Sequence, residues 1–191
     1  MKIAPYAQTS EQEYLRLEAC SPFKSEFVAG NVYAMTGASL RHNVIAGNIF
    51  SVLRTHVRGS PCRTFVSDAK LRIAKFSCFY YPDVMVTCDA RHQSVSSDDS
   101  VIDTPRLIVE VLSDSTEATD RREKLQAYRS LPSLLEYVLV SQLAPAIEIH
   151  RRQGDIGWQI INLVPGDPVE LSSVDLITDF ASIYDESGLA I

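Results

Sequence analysis

The sequence predicts a single α/β (α+β) domain spanning residues 1–191, and three observations lead to it. Two apolar runs of strand type each carry one carboxylate: Asp83 opens the run Val84-Met85-Val86, and Glu110 interrupts Leu107-Ile108-Val109-Glu110-Val111-Leu112. Two segments with helical apolar spacing, 39–57 and 119–130, are interleaved with those runs. At 191 residues, 46% hydrophobic and 22% charged, the chain can bury one substantial core, and it contains no internal repeat, low-complexity tract or interdomain linker.

The elements follow in order. Ser10-Glu11-Gln12-Glu13 has the form of a capping box and opens a short helix with Tyr14, Leu15 and Leu17 on its apolar side. Residues 23–28 and 32–35 read as a hairpin about Ala29-Gly30-Asn31, with Glu26 on its first strand. Leu40, Val44, Ile45, Ile49, Val52 and Leu53 then recur at helical spacing, and Gly59 and Pro61 end what should be the longest helix. Strands are predicted near 62–67, 71–74, 81–87 and 107–112, forming the core sheet, with a polar loop over 90–103. Pro132 stops the second helix. Strands follow at 136–140, 147–151 and 158–164, with Gly154 and Gly157 bracketing a turn. After Pro165-Gly166-Asp167-Pro168, the segment 176–184 supplies a closing strand and helix.

Several function classes are excluded. The N-terminus has no apolar core of signal-peptide length, and no stretch approaches the roughly 18 apolar residues of a membrane span, so a cytoplasmic protein without membrane contact is expected. Cys20, Cys62, Cys78 and Cys88 form no C-x-x-C pair and have no histidine at ligand spacing, which reads as four reduced thiols. There is no glycine-rich phosphate loop, dinucleotide fingerprint or nucleophile-elbow serine. A net charge of −6 argues against a protein that coats nucleic acid through a cationic surface, yet it leaves room for a nuclease whose carboxylates hold a metal.

The chemistry therefore rests on carboxylates. An aspartate at the start of one strand and a glutamate near the end of its neighbour can share a hard divalent cation from a rigid base. Glu110 is costly to bury in its apolar run unless it is paired or bound to metal. The competing arrangement has Asp83 capping a turn after Pro82 and Glu110 bridged to an arginine. Asp120, Lys124 and Tyr128 succeed one another at four-residue intervals on one face of the helix that follows Glu110. From there a lysine can neutralise charge on a phosphate. As an isolated pair, Asp120 and Lys124 would be a surface contact of a few tenths of a kcal/mol, roughly.

The ordered set Glu26, Val32-Tyr33-Ala34-Met35, Gly37-Ala38-Ser39, Arg41-His42-Asn43, Val66-Ser67-Asp68, Tyr81-Pro82-Asp83, Ile108-Val109-Glu110-Val111-Leu112-Ser113, Thr116, Asp120, Lys124 and Tyr128 resembles the Uma family of the restriction-endonuclease-like, PD-(D/E)XK superfamily. The resemblance runs from about residue 11 to residue 184. It implies a mixed central sheet flanked by helices, a strand-rich C-terminal part, and a magnesium site, with manganese as an alternative ion. The implied activity is that of a metal-dependent endonuclease, a hydrolase that cleaves DNA with water activated at the metal. By position, Asp83 and Glu110 are metal ligands, the Val111 carbonyl completes the coordination, Glu26 is an auxiliary acid, and Lys124 is the catalytic lysine.

One departure is plain. The superfamily pattern has lysine two residues after the second acid, and here that position is Leu112, so the lysine is relocated to the following helix. The competing function is a catalytically inactive nucleic-acid-binding or regulatory protein that keeps the nuclease fold. His42 reads as a hydrogen-bonded structural histidine, Asp68 as structural support for the acids, and Tyr128 as packing beneath the lysine helix. A homodimer fits the hairpin and the strand-rich C-terminal half.

Overall fold

The computed structural model describes residues 8–35, 37–94, 100–113 and 116–191. Its elements are α1 (Glu11–Glu18), β1 (Ser25–Val28), β2 (Asn31–Ala34), α2 (Leu40–His56), β3 (Arg63–Val66), β4 (Lys70–Ile73), β5 (Cys78–Tyr80), β6 (Val84–Thr87), β7 (Val101–Ile102) and β8 (Leu107–Leu112). A helical stretch follows as α3 (Glu117–Thr119), a wider turn over Asp120–Lys124, and α4 (Leu125–Arg129). The chain ends with β9 (Glu136–Ser141), β10 (Ile147–Arg152), β11 (Trp158–Leu163), β12 (Val169–Leu171), β13 (Leu176–Thr178) and α5 (Phe180–Tyr184).

The mixed α+β architecture agrees with the sequence, but the strands sort into separate sheets. A six-stranded sheet has the order β11-β10-β9-β8-β6-β3, a five-stranded sheet the order β2-β1-β5-β4-β7, and β12 and β13 pair alone. The predicted strand at 71–74 thus leaves the core sheet for the second one. The short β5 and β7 add to it, β7 in what the sequence presents as a polar loop. The middle of that loop, 95–99, lies outside the described residues.

In the six-stranded sheet β8 runs parallel to β9 and antiparallel to β6, and all six of its residues are buried. Side chains alternate across a strand, so the sheet presents two faces. On one, Val84, Val86, Leu107, Val109 and Val111 pack against Ile45, Ala46, Ile49 and Leu53 of α2, joined by Phe180, Ile183 and Tyr184 of α5. On the other, Met85, Ile108, Leu112, Tyr137 and Leu139 meet Ala127 and Tyr128 of α4 and Leu71, Ile73 and Tyr80 of the second sheet. Tyr14 of α1 packs with Phe27 and Phe79 on that second sheet.

Local chemistry explains the boundaries that matter. Ser10 and Ser39 cap α1 and α2 by accepting the N–H of Glu13 and His42. The β1–β2 hairpin turns at Ala29-Gly30, both at positive φ, the pair of left-handed residues that a two-residue turn requires. The cysteines correct the sequence reading: Cys62 and Cys88 form a disulfide, with Cys20 and Cys78 free. Strand pairing causes this, because Arg63 faces Thr87 and the next register position sets Cys62 against Cys88, 3.9 Å apart at Cα. Among the described residues, no helix is long and apolar enough to cross a membrane.

Candidate active site

Asp83 stands one residue before β6, and the register that pairs Val84 with Val109 sets it opposite Glu110. Backbone groups tie the junction. The Asp83 N–H donates to Glu110 Oε2 at 3.3 Å, and the Val111 N–H donates to Asp83 Oδ2 at 2.8 Å. Pro82 has fixed φ and no N–H to satisfy, so it enters the strand without leaving a buried donor unpaired. Two residues from both Ile108 and Leu112, Glu110 shares their face of β8 and points into the cluster that contains Tyr128.

The helical stretch after β8 brings the counter-charge. It widens to a π turn over Asp120–Lys124, a geometry that often marks functional sites, and Tyr137 on β9 donates its hydroxyl to the Asp120 carbonyl at 3.2 Å. Lys124 Nζ lies 3.1 Å from Asp120 Oδ1, 3.2 Å from Glu26 Oε1 and 3.3 Å from Glu110 Oε1. One ammonium thus meets carboxylates from the hairpin, from β8 and from its own helix. Asp120 and Lys124 are both buried, so they are not the surface pair that their spacing alone suggests.

Tyr128 does more than pack. Its hydroxyl, fully buried, donates to Glu110 Oε1 at 2.8 Å. His42 lies one turn into α2 and places Nε2 3.2 Å from Asp83 Oδ2, so it is hydrogen-bonded as expected, but to a site carboxylate. Asp68 does not reach the acids: its side chain is exposed and ion-paired with Lys24. Sequence reasoning missed the support at Gln142, whose Oε1 accepts the Ser39 hydroxyl at 2.6 Å and so fixes the cap from which His42 projects. No spacing rule links residues that far apart.

Burial drives Glu110 well above the ordinary carboxylate value; Lys124 opposes that rise, while Asp120 and Asp83 add to it. Lys124 is itself raised well above an ordinary lysine. Burial alone would lower it, but the charges of Glu110, Glu26 and Asp120 outweigh burial. His42 is raised for the same kind of reason, with Asp83 and the Val111 backbone outweighing burial. Burial and the neighbouring Glu110 raise Tyr128 well above its usual value, which keeps its hydroxyl a donor.

Glu110, Lys124 and His42 line a cavity of about 580 Å³, whose wall carries the carboxylates of Glu26, Asp83, Glu110, Asp120 and Glu123. Among the described residues no three His, Cys, Asp or Glu side chains form a ready-made metal cage. What the cavity offers instead is the pair of opposed carboxylates of Asp83 and Glu110. That suits magnesium, which takes one or two carboxylates and keeps most of its waters. Both contacts to Asp83 fall on Oδ2, and the buried Asp120 Oδ1, close to the ammonium, lacks a well-directed hydrogen bond. An all-oxygen set with carboxylate in excess fits a hard divalent cation.

Comparison with known proteins supplies the family. Residues 11–181 match the family model Uma2, described as "Putative restriction endonuclease". One uncharacterised protein of Synechocystis is 38% identical over 187 residues, covering 98% of this chain and 96% of its own. A second from the same organism is 34% identical over 171 residues, covering 90% and 96%. A crystal structure from Anabaena variabilis, titled a "putative nuclease belonging to DUF820", superposes with a TM-score of 0.71 over 92% of this chain and 97% of that one; at 15% identity it shows the shared fold. With nearly the whole chain matched by both model and relatives, the protein belongs to the Uma2 family of restriction-endonuclease-like proteins.

Proposed function

We propose that this chain is a divalent-cation-dependent endonuclease that hydrolyses phosphodiester bonds of DNA. The observation that carries the reading is the Lys124 ammonium, within 3.3 Å of Glu26, Glu110 and Asp120 and next to the tied Asp83–Glu110 junction. Asp83, Glu110 and the Val111 carbonyl would hold magnesium or manganese, with Glu26 as the auxiliary acid. Such an ion supplies positive charge that acidifies water and offsets charge on the phosphate.

The protein's own groups do the rest. Hydrolysis joins a water oxygen to phosphorus in line and breaks the bond to the bridging sugar oxygen, which leaves with a proton from solvent. Lys124, kept charged by its three carboxylates, acts as a fixed positive charge for the non-bridging oxygens and not as a base. Tyr128 and the Asp83 N–H fix the two oxygens of Glu110, and His42 and the Val111 N–H fix Asp83. Leu112, where the superfamily carries lysine, lies buried on the same face of β8 as Glu110. Lys124 reaches Glu110 from the helix instead, which supports the relocation.

The test is cleavage of supercoiled plasmid and of single-stranded DNA in magnesium, in manganese and with chelator. Wild type should cut only with the ion, and Asp83→Ala, Glu110→Ala and Lys124→Ala should each lose at least about two orders of magnitude in rate, the size of a lost electrostatic group. Equal inactivity of wild type and variants on every substrate would favour a nucleic-acid-binding protein that keeps the fold without turnover.

A further inference from the structure

The cavity mouth carries an aromatic residue that nothing above employs. Tyr33 on β2 is directly opposite Glu26 in the hairpin register, and directly opposed side chains lie about 5 Å apart at Cβ. Glu26 is the acid 3.2 Å from Lys124, so the Tyr33 ring borders the charged centre while remaining 55% exposed. Met35, two residues on and also lining the cavity, is 39% exposed, and Leu40, just past the cavity-lining Ser39, is 88% exposed. The mouth is therefore faced with apolar and aromatic surface.

Charge points the same way. Against five carboxylates, the described cavity wall offers one ammonium, Lys124. Two nearby guanidinium groups are engaged, Arg41 with the carbonyls of Ser187 and Gln142 and Arg121 with Glu117 and Glu148, which leaves the exposed Arg122 beside Glu123. A duplex presents a dense phosphate array and buries its bases, so it needs many cations, and this wall is dominated by carboxylates. An unpaired strand presents base faces, which stack on aromatic side chains whatever the sequence. Glu110 and Asp120 line the cavity and are almost fully buried, so a scissile phosphate must enter it to approach them, which a single strand does more readily than the flank of a double helix.

From this we infer that the substrate is an unpaired nucleic-acid strand, and that Tyr33 is the platform on which the base beside the scissile phosphate stacks. The inference rests on the nuclease reading for its substrate class, but its test does not require turnover. Binding of a short fluorescein-labelled phosphorothioate oligodeoxynucleotide, single-stranded or annealed to its complement, is measured by anisotropy in magnesium across a salt series. The single strand should bind more tightly than the duplex and with a shallow salt slope. Tyr33→Ala should weaken single-strand binding by about tenfold, the order expected for one lost base stack, and Tyr33→Trp should restore it. Because Tyr33 is largely exposed, far-UV circular dichroism of both variants should match wild type. Duplex binding as tight as the single strand, a Tyr33→Ala variant equal to wild type, or no binding of either form would overturn the inference. Cation-dependent plasmid cleavage lost in Asp83→Ala would still uphold the nuclease in each of those cases.

Discussion

Glu110 shows how one buried charge organises its neighbours. A carboxylate at 3% exposure inside an apolar strand needs compensation, and here it comes from Lys124, from the Tyr128 hydroxyl and from the Asp83 N–H. Replacing Tyr128 by Phe keeps the ring in its edge-to-face contacts with Tyr80 and Tyr137 and removes only the donor. A hydrogen bond to a charged group contributes about 1.5–3 kcal/mol, so Tyr128→Phe should lower the urea unfolding free energy by that order. It should also slow cleavage, because Glu110 loses the bond that fixes Oε1. An unchanged urea midpoint would show that Lys124 alone compensates the buried acid. Glu110 and Asp83 were legible in the sequence because each interrupts or opens an apolar run. Tyr128 was legible only as a position on the lysine face, since spacing gives direction and not a bond.

At the scale of elements, α2 and β8 could be read directly, because seventeen residues of helical periodicity and a six-residue apolar run have few alternatives. β5 and β7 could not, being three and two residues long and defined by their partners. The π turn is a distortion that the four-residue spacing of Asp120 and Lys124 does not encode, and Tyr137 from β9 helps hold it. Where α4 meets β10, Arg129 Nη2 lies 2.7 Å from Nδ1 of buried His150, and His150 Nε2 lies 2.6 Å from Glu148 Oε1. An arginine only donates, so Nδ1 must accept and Nε2 carries the proton to Glu148, which makes the imidazole neutral. Burial chiefly lowers its pKa; Glu148 opposes this, and Arg129 and Arg121 add to it. With the folded value below the unfolded one, this stabilising contribution is complete above about pH 6.5 and is lost as pH falls through the folded value. His150→Gln should therefore reduce the drop in urea midpoint between about pH 7.5 and about pH 5.5 that wild type shows. An identical drop in both proteins would mean that His150 is protonated in the fold.

Over the whole molecule, two strands of the six-stranded sheet, β3 and β6, are joined by a cross-link that no sequence rule exposed, because Cys62 and Cys88 are 26 residues apart and meet only through the pairing of those strands. The enclosed loop contains β3 and β6 of the six-stranded sheet and β4 and β5 of the five-stranded one, with Asp83 immediately before β6. Closing such a loop removes disorder from the unfolded chain worth about 3 kcal/mol. The cross-link therefore ties β3 to β6 within one sheet, closes the excursion that carries β4 and β5 to the other, and anchors the strand that follows the first acid. Cys20 and Cys78 are free, so a reductant acts on this one bond. Wild type should show a lower urea midpoint with reductant than without, while a Cys62→Ser, Cys88→Ser double variant should match reduced wild type and ignore the reductant. If the oxidised and reduced proteins unfold at the same urea concentration, β3 and β6 hold together by strand pairing and packing alone and the cross-link contributes nothing to the position of Asp83. If the shift appears, the cleavage proposed for this chain should fail at lower temperature in the reduced protein than in the oxidised one, because Asp83, next to β6, enters the cavity from within the closed loop.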